Sequence, residues 1–163
     1  MKTKEEFIKT YGGIYEHSPW IAEAAFEAGA DTLETIHAAM KAVVNAASHE
    51  KKLALICAHP DLACMQGLTA ASTSEQAGAG LNDCSPEELK EFGRLNVEYK
   101  QKFCFPFVIA VRGLHREAIL KQFRSRLYNE PAAEFETALA QIHKIAGFRL
   151  SSLPPSPSGR GLG

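Results

Sequence analysis

No stretch of this chain holds the roughly 20 consecutive apolar residues that a membrane span needs, so a transmembrane helix is not expected. The N-terminus, Met-Lys-Thr-Lys-Glu-Glu, lacks the apolar core of a signal peptide. Charge of one sign is also missing as a block: 18 lysines and arginines stand interspersed with 19 aspartates and glutamates. That balance argues against a nucleic-acid footprint. The four cysteines, Cys57, Cys64, Cys84 and Cys104, form no C-x-x-C pair and have no histidine at zinc-ligand spacing. Cys57 and Cys104 lie in apolar runs, where a thiol reads as a small core residue. A soluble, intracellular protein in a reducing cytoplasm, with no bound metal, is the expectation. Internal repeats are absent as well.

What is present is enough apolar material for one core: 45% of 163 residues. Residues 1–150 read as one domain. The remainder, 151–163, is rich in serine, proline and glycine and is expected to be disordered. Helix punctuation recurs along the domain. Residues 4 to 11 suit a short helix around Phe7 and Ile8. Ser18-Pro19 is a start signal, followed by an apolar face through Trp20, Ile21, Ala24, Ala25 and Ala28. Asp31 and Glu34 open a long amphipathic helix, expected to be a central packing element, with Leu33, Ile36, Met40, Val43, Val44 and Ala47 on one side. Ser85-Pro86-Glu87-Glu88 starts a helix to about Lys102 with Leu89, Phe92, Leu95, Val97 and Tyr99 as its apolar residues. A helix through Ile119, Leu120, Phe123 and Leu127 follows, and Pro131 opens a last one to about Leu150. Residues 103–111 are the most apolar run. With no second strand to pair with, they read as an extended segment whose backbone amides need partners from elsewhere. The fold class is all-α, an irregular single-domain bundle of seven to nine helices.

Two places carry chemistry. The apolar run from Leu53 to Ala58 must end as a helix near His59, because Pro60 has no amide hydrogen and disfavours helical geometry before it. That sets an imidazole at the mouth of a buried element. It is either an ordinary helix-end side chain touching the last carbonyls or a general acid or base. Farther on, Ser72-x-x-Glu75 has capping-box spacing, with Ser72 as N-cap and Glu75 reaching back. Gln76 has no capping duty, so it is either on the surface or ligand-facing. Asn96 reads as a core amide bonded to backbone or as a ligand contact. Arg149, near a helix C-terminus, either complements the dipole or offers its planar fork to a carboxylate or imide.

Taken together, Ser18-Pro19-Trp20, the block Ala58-His59-Pro60-Asp61-Leu62-Ala63, Ser72-x-x-Glu75-Gln76 with Ala79-Gly80-Leu81, Asn96 with Tyr99, Phe105-Pro106-Phe107 and Arg149-Leu150 resemble the OHCU decarboxylase family. OHCU is 2-oxo-4-hydroxy-4-carboxy-5-ureidoimidazoline, an intermediate of urate degradation. The resemblance spans roughly residues 7 to 150. It implies a cofactor-free, all-α decarboxylase, commonly a homodimer, that turns OHCU into (S)-allantoin. It further implies His59 as catalytic acid and Glu75 as its charged partner, fixing the ring's tautomer. Pro60, Ser72, Gln76, the backbone of Phe107, Val108 and Ile109, and Arg149 would be substrate contacts. Cys104 departs from the glycine usual in the family at this place. The chain also lacks a Ser-Lys-Leu peroxisomal address, which favours the cytoplasm. A non-catalytic helical module binding a ureide, or a hydrolase or racemase acting on a neighbouring ureide, is the alternative.

Overall fold

Among the described residues there are eight α-helices and no strand. The computed structural model describes residues 2–63 and 69–153, so Cys64 and the expected disordered tail from 154 onward lie outside the described residues. Helix α1 (Lys4–Tyr11) begins with a reciprocal box between Thr3 and Glu6. Helix α2 (Pro19–Glu27) has proline in its first position, but Ser18 does not cap it with its side chain. The Ser18 hydroxyl donates instead to the Glu16 carbonyl at 2.8 Å. Helix α3 (Leu33–Ala46) is opened by Thr32 and Thr35 rather than by Asp31 and Glu34.

Ser48 caps α4 (His49–Cys57), α5 covers Ala70–Gly78, and the Ser85–Glu88 box starts α6 (Pro86–Phe103) as the sequence predicts. Helices α7 (Arg116–Arg126) and α8 (Pro131–Ser151) complete the chain. The central element is α8, against which α3, α4 and α6 all pack. It buries Ala138, Leu139, Ile142, Ile145, Ala146 and Leu150. Each large aliphatic side chain removed from water in this way contributes about 1.5–3 kcal/mol. Helix α3, expected at the centre, packs on α2 and one side of α8.

Several apolar assignments are corrected. Leu33 and Leu89 are each 47% exposed and Val97 54%. The buried stripe of α6 is Phe92, Leu95, Asn96, Tyr99 and Phe103, and Val97 lies roughly 140° round the helix from Phe92 at 100° per residue. Cys57 and Cys104 are exposed thiols, not core residues. Cys104 terminates α6 in the left-handed region, with φ 64°. That conformation is what a glycine at this position would adopt without steric cost.

The segment Phe105–Val111 is extended, buried and without a partner strand. Its aromatic side chains anchor it. Phe107 stacks on Phe123 with ring centres 3.9 Å apart, and Tyr99 meets Phe105, Phe107 and Phe123 edge-on. Its polar backbone groups are met by side chains: Arg126 Nη1 donates to the Val108 carbonyl at 2.8 Å, and the Ala110 N–H donates to Gln141 Oε1 at 2.9 Å. Arg126 is held in turn by buried Glu134 through Nε at 2.7 Å. Tyr99 and Asn129 also donate to that carboxylate.

Candidate active site

Between the end of α4, the middle of α5, the extended segment and the last turns of α8 lies a pocket with about 370 Å3 of empty space, counting its mouth. His59, Pro60, Ser72, Glu75, Gln76, Phe107, Val108, Ile109 and Arg149 all line it, together with Leu62, Val111 and Ile145. The nine residues singled out from sequence are therefore brought together around one cavity. How each is held differs from the sequence expectation in several places.

His59 sits one turn past the last buried residues of α4 and is 8% exposed. Its Nδ1 lies 2.9 Å from the Leu55 carbonyl. A carbonyl can only accept, so Nδ1 carries the hydrogen and Nε2 is left for the cavity. The ring caps its helix and lines the pocket at once. Burial lowers its pKa below the usual imidazole range, while the negative charge of Glu16 works against that shift. The neutral ring is thus the resting form.

On α5 the capping expectation is corrected. The N-cap is Thr69, whose hydroxyl accepts the Ser72 N–H at 3.1 Å. Ser72 and Glu75 are thereby released from capping. Residues 72, 75 and 76 share one helix face at i, i+3 and i+4. Ser72 Oγ donates to Glu16 Oε2 at 2.7 Å. Glu75 forms a two-pronged ion pair with Arg149, at 2.8 Å to Nε and 2.9 Å to Nη2. The orienting partner of the His59 ring is thus the Leu55 carbonyl, and the partner of Glu75 is Arg149. Gln76 is buried, and its Oε1 accepts the Ala63 N–H at 3.1 Å. Asn96 donates to the Leu62 carbonyl at 3.1 Å, so two amides clasp the turn that follows Pro60.

Arg149 is the hub. Its Nη1 donates to Glu16 Oε1 at 2.9 Å and lies 3.3 Å from the carbonyls of Gly13 and Ile14. Its Nη2 also donates to Ser72 Oγ at 3.3 Å. The helix-dipole reading of this arginine is too small for what it does. Glu16, buried at 1% exposure, is a residue the sequence reading missed. A single acidic residue just before a helix start looks like a solvated one, and only the fold turns it inward. Burial alone would raise its pKa, but the Ser72 hydrogen bond and the charge of Arg149 outweigh that and hold the carboxyl below its usual range.

Among the described residues, none of the N–H groups of Phe107, Val108 and Ile109 has a protein acceptor, and all three residues line the cavity. No three His, Cys, Asp or Glu side chains gather as metal ligands among the described residues.

Fold and site thus define an all-α protein with a small cavity, one neutral imidazole, a charged cluster and one wall of extended backbone. The chain belongs to the OHCU decarboxylase family, whose model matches residues 2–151. It is 41% identical over 148 residues to the 2-oxo-4-hydroxy-4-carboxy-5-ureidoimidazoline decarboxylase of Haloferax volcanii, covering 90% of this chain and 88% of that protein. It is 40% identical over 149 residues to the uric acid degradation bifunctional protein of a Bacillus species, covering 91% of this chain and 30% of that longer one. Among solved structures, that of an (S)-allantoin synthase superposes with a TM-score of 0.73 at 40% identity, over 93% of this chain and 50% of that one. An OHCU decarboxylase structure obtained in the presence of (S)-allantoin shares the fold, with a TM-score of 0.74 at 24% identity, over 92% of this chain and 96% of that one.

Proposed function

We propose that this chain is a carboxy-lyase that converts OHCU to (S)-allantoin, with His59 as the general acid. The observation that carries the reading is a buried neutral imidazole whose Nδ1 is committed to Leu55, sharing a cavity with Arg149 and with unpartnered backbone donors. OHCU brings its own electron sink. When the carboxylate leaves C4 as carbon dioxide, the bonding pair moves toward C5 and on to the ring-imine nitrogen, which takes up one proton from the medium. The product is an enol at C4. It collapses to a carbonyl as the hydroxyl gives up its proton and C5 gains one.

A neutral Nε2 can take the hydroxyl proton and return it to C5 from one side, so the imidazole acts as acid in the step that fixes the hand of allantoin. The N–H groups of Phe107 to Ile109 suit the ring and ureido carbonyls. Arg149 suits the carboxylate or ring-carbonyl end, Pro60 and Gln76 shape the rim beside His59, and Ser72 and Glu75 complete the polar side. Walls of Leu62, Val111 and Ile145 keep water away, which strengthens each of these contacts. A homodimer in the cytoplasm is the setting this reading expects. Size-exclusion chromatography with light scattering checks the dimer.

One observation favours a second reading, a module that binds a ureide without turning it over: the hydrogen bond that His59 makes goes to backbone alone. A single experiment separates the two. Freshly generated OHCU should lose carbon dioxide and give (S)-allantoin alone, read by optical rotation. His59→Ala should lower turnover at least ~100-fold, and Glu75→Ala should lower it as well, each with unchanged far-ultraviolet circular dichroism. Near-full activity in either variant removes that residue from the chemistry. Binding without carbon dioxide release by the unaltered protein selects the second reading.

A further inference from the structure

The guanidinium of Arg149 has no N–H left for a substrate. Nε is taken by Glu75, Nη2 by Glu75 and Ser72, and Nη1 by Glu16 with the carbonyls of Gly13 and Ile14. One cation faces two carboxylates, and the two are not equivalent. The Glu16 side chain is fully buried and Glu75 is 30% exposed at the cavity. Glu16 is also fixed from the other side, since Ser72 donates to it at 2.7 Å and Thr69 at 3.2 Å. Glu75 makes no hydrogen bond to any other described residue beyond Arg149 through its carboxylate. An anionic or carbonyl group entering the cavity can therefore reach the Nε of Arg149 only by displacing Glu75.

Resting on the decarboxylase reading, we propose that Glu16 is a positioning residue: it is the resident counter-ion that keeps Arg149 seated while Glu75 is exchanged for the substrate. Without it, departure of Glu75 would leave a buried guanidinium held only by a hydroxyl and two carbonyls, and the fork would lose its aim. Glu16 does not line the cavity, so its effect passes through Arg149 and through Ser72.

The test uses Glu16→Gln, which keeps the shape and removes the charge. The Michaelis constant for OHCU should rise about 10-fold or more, as for loss of a hydrogen bond between charged groups, while turnover falls less than about 3-fold. Because Glu16 acts through Arg149, the double variant Glu16→Gln/Arg149→Lys should bind substrate no worse than Arg149→Lys alone, within about 2-fold. An arginine-directed dicarbonyl reagent, followed by peptide mass spectrometry, should label Arg149 faster in Glu16→Gln than in the unaltered protein. If Glu16→Gln does not fold, Glu16→Asp keeps the charge but draws it back by one methylene and should move the same readouts in the same direction. An unchanged Michaelis constant, an additive double variant or an unchanged labelling rate overturns the proposal. Should the unaltered protein fail to act on OHCU, the decarboxylase reading falls, and the labelling rate still decides whether Glu16 seats Arg149.

Discussion

Two arginines, Arg126 and Arg149, are buried to nearly the same extent, at 7% and 8% exposure, yet their surroundings do different work. Arg126 meets one carboxylate, that of Glu134, and spends its remaining reach on the Val108 carbonyl, with its guanidinium 4.3 Å above the Phe107 ring. The charges cancel, the site is closed, and what is held is a piece of backbone. Arg149 meets two carboxylates beside an open cavity, so its cluster carries one negative charge in excess unless a neighbouring imidazole is protonated. A matched, sealed pair gives rigidity. An unmatched one at a cavity leaves, on the proposal made for Glu16, one partner available for exchange.

The contrast can be broken most forcefully at Arg126. Truncation in Arg126→Ala leaves Glu134 charged and unpaired in the interior, so urea denaturation should show a loss of about 3–5 kcal/mol. A loss below ~1 kcal/mol would mean that the pair only fills space. At Arg149 the expected change is in binding instead. Arg149→Lys keeps the charge but not the planar fork, and should raise the Michaelis constant more than it lowers turnover. An unchanged constant would place Arg149 outside substrate contact and leave both arginines as structural.

A half-buried imidazole sharpens the same comparison. His143, hydrogen-bonded to Tyr15 at 2.8 Å, has its pKa pushed down to about 4 by burial. Its folded pKa lies below the unfolded value near ~6.5. The unfolded chain therefore takes up the proton first, and stability falls as pH drops from about 6.5 toward 4. Melting temperature followed over that window should decline, and His143→Gln should flatten the decline. The smallest expected effect lies at the other end of the extended wall. Cys104→Gly relieves the left-handed strain at the end of α6 but loosens the unfolded chain, so the net gain should be at most ~1 kcal/mol, read as a slightly higher melting temperature with unchanged kinetics.

Legibility in the sequence followed the range of the forces involved. The stop of α4 near His59 could be read because Pro60 acts on its immediate neighbour, and the box at Ser85–Glu88 because capping spans three residues. The N-cap of α5 falls on Thr69 rather than Ser72 because both are cap-forming residue types, and the Ser72 hydroxyl is engaged by Glu16, 56 residues earlier. Leu89 and Val97 looked like core because composition does not say how wide a buried stripe is.

Local chemistry along the chain thus determined the helices, the extended character of residues 105–111 and the types of side chain available for catalysis, since propensity, capping and proline geometry act over a few residues. Which carboxylate faces Arg149, which carbonyl orients His59 and which acidic residue goes inside were settled only when α5, α8 and the turn before α2 came together. Ion pairs and burial depend on distances through space, and contacts such as Glu16 to Arg149, 133 residues apart, leave no periodicity to read.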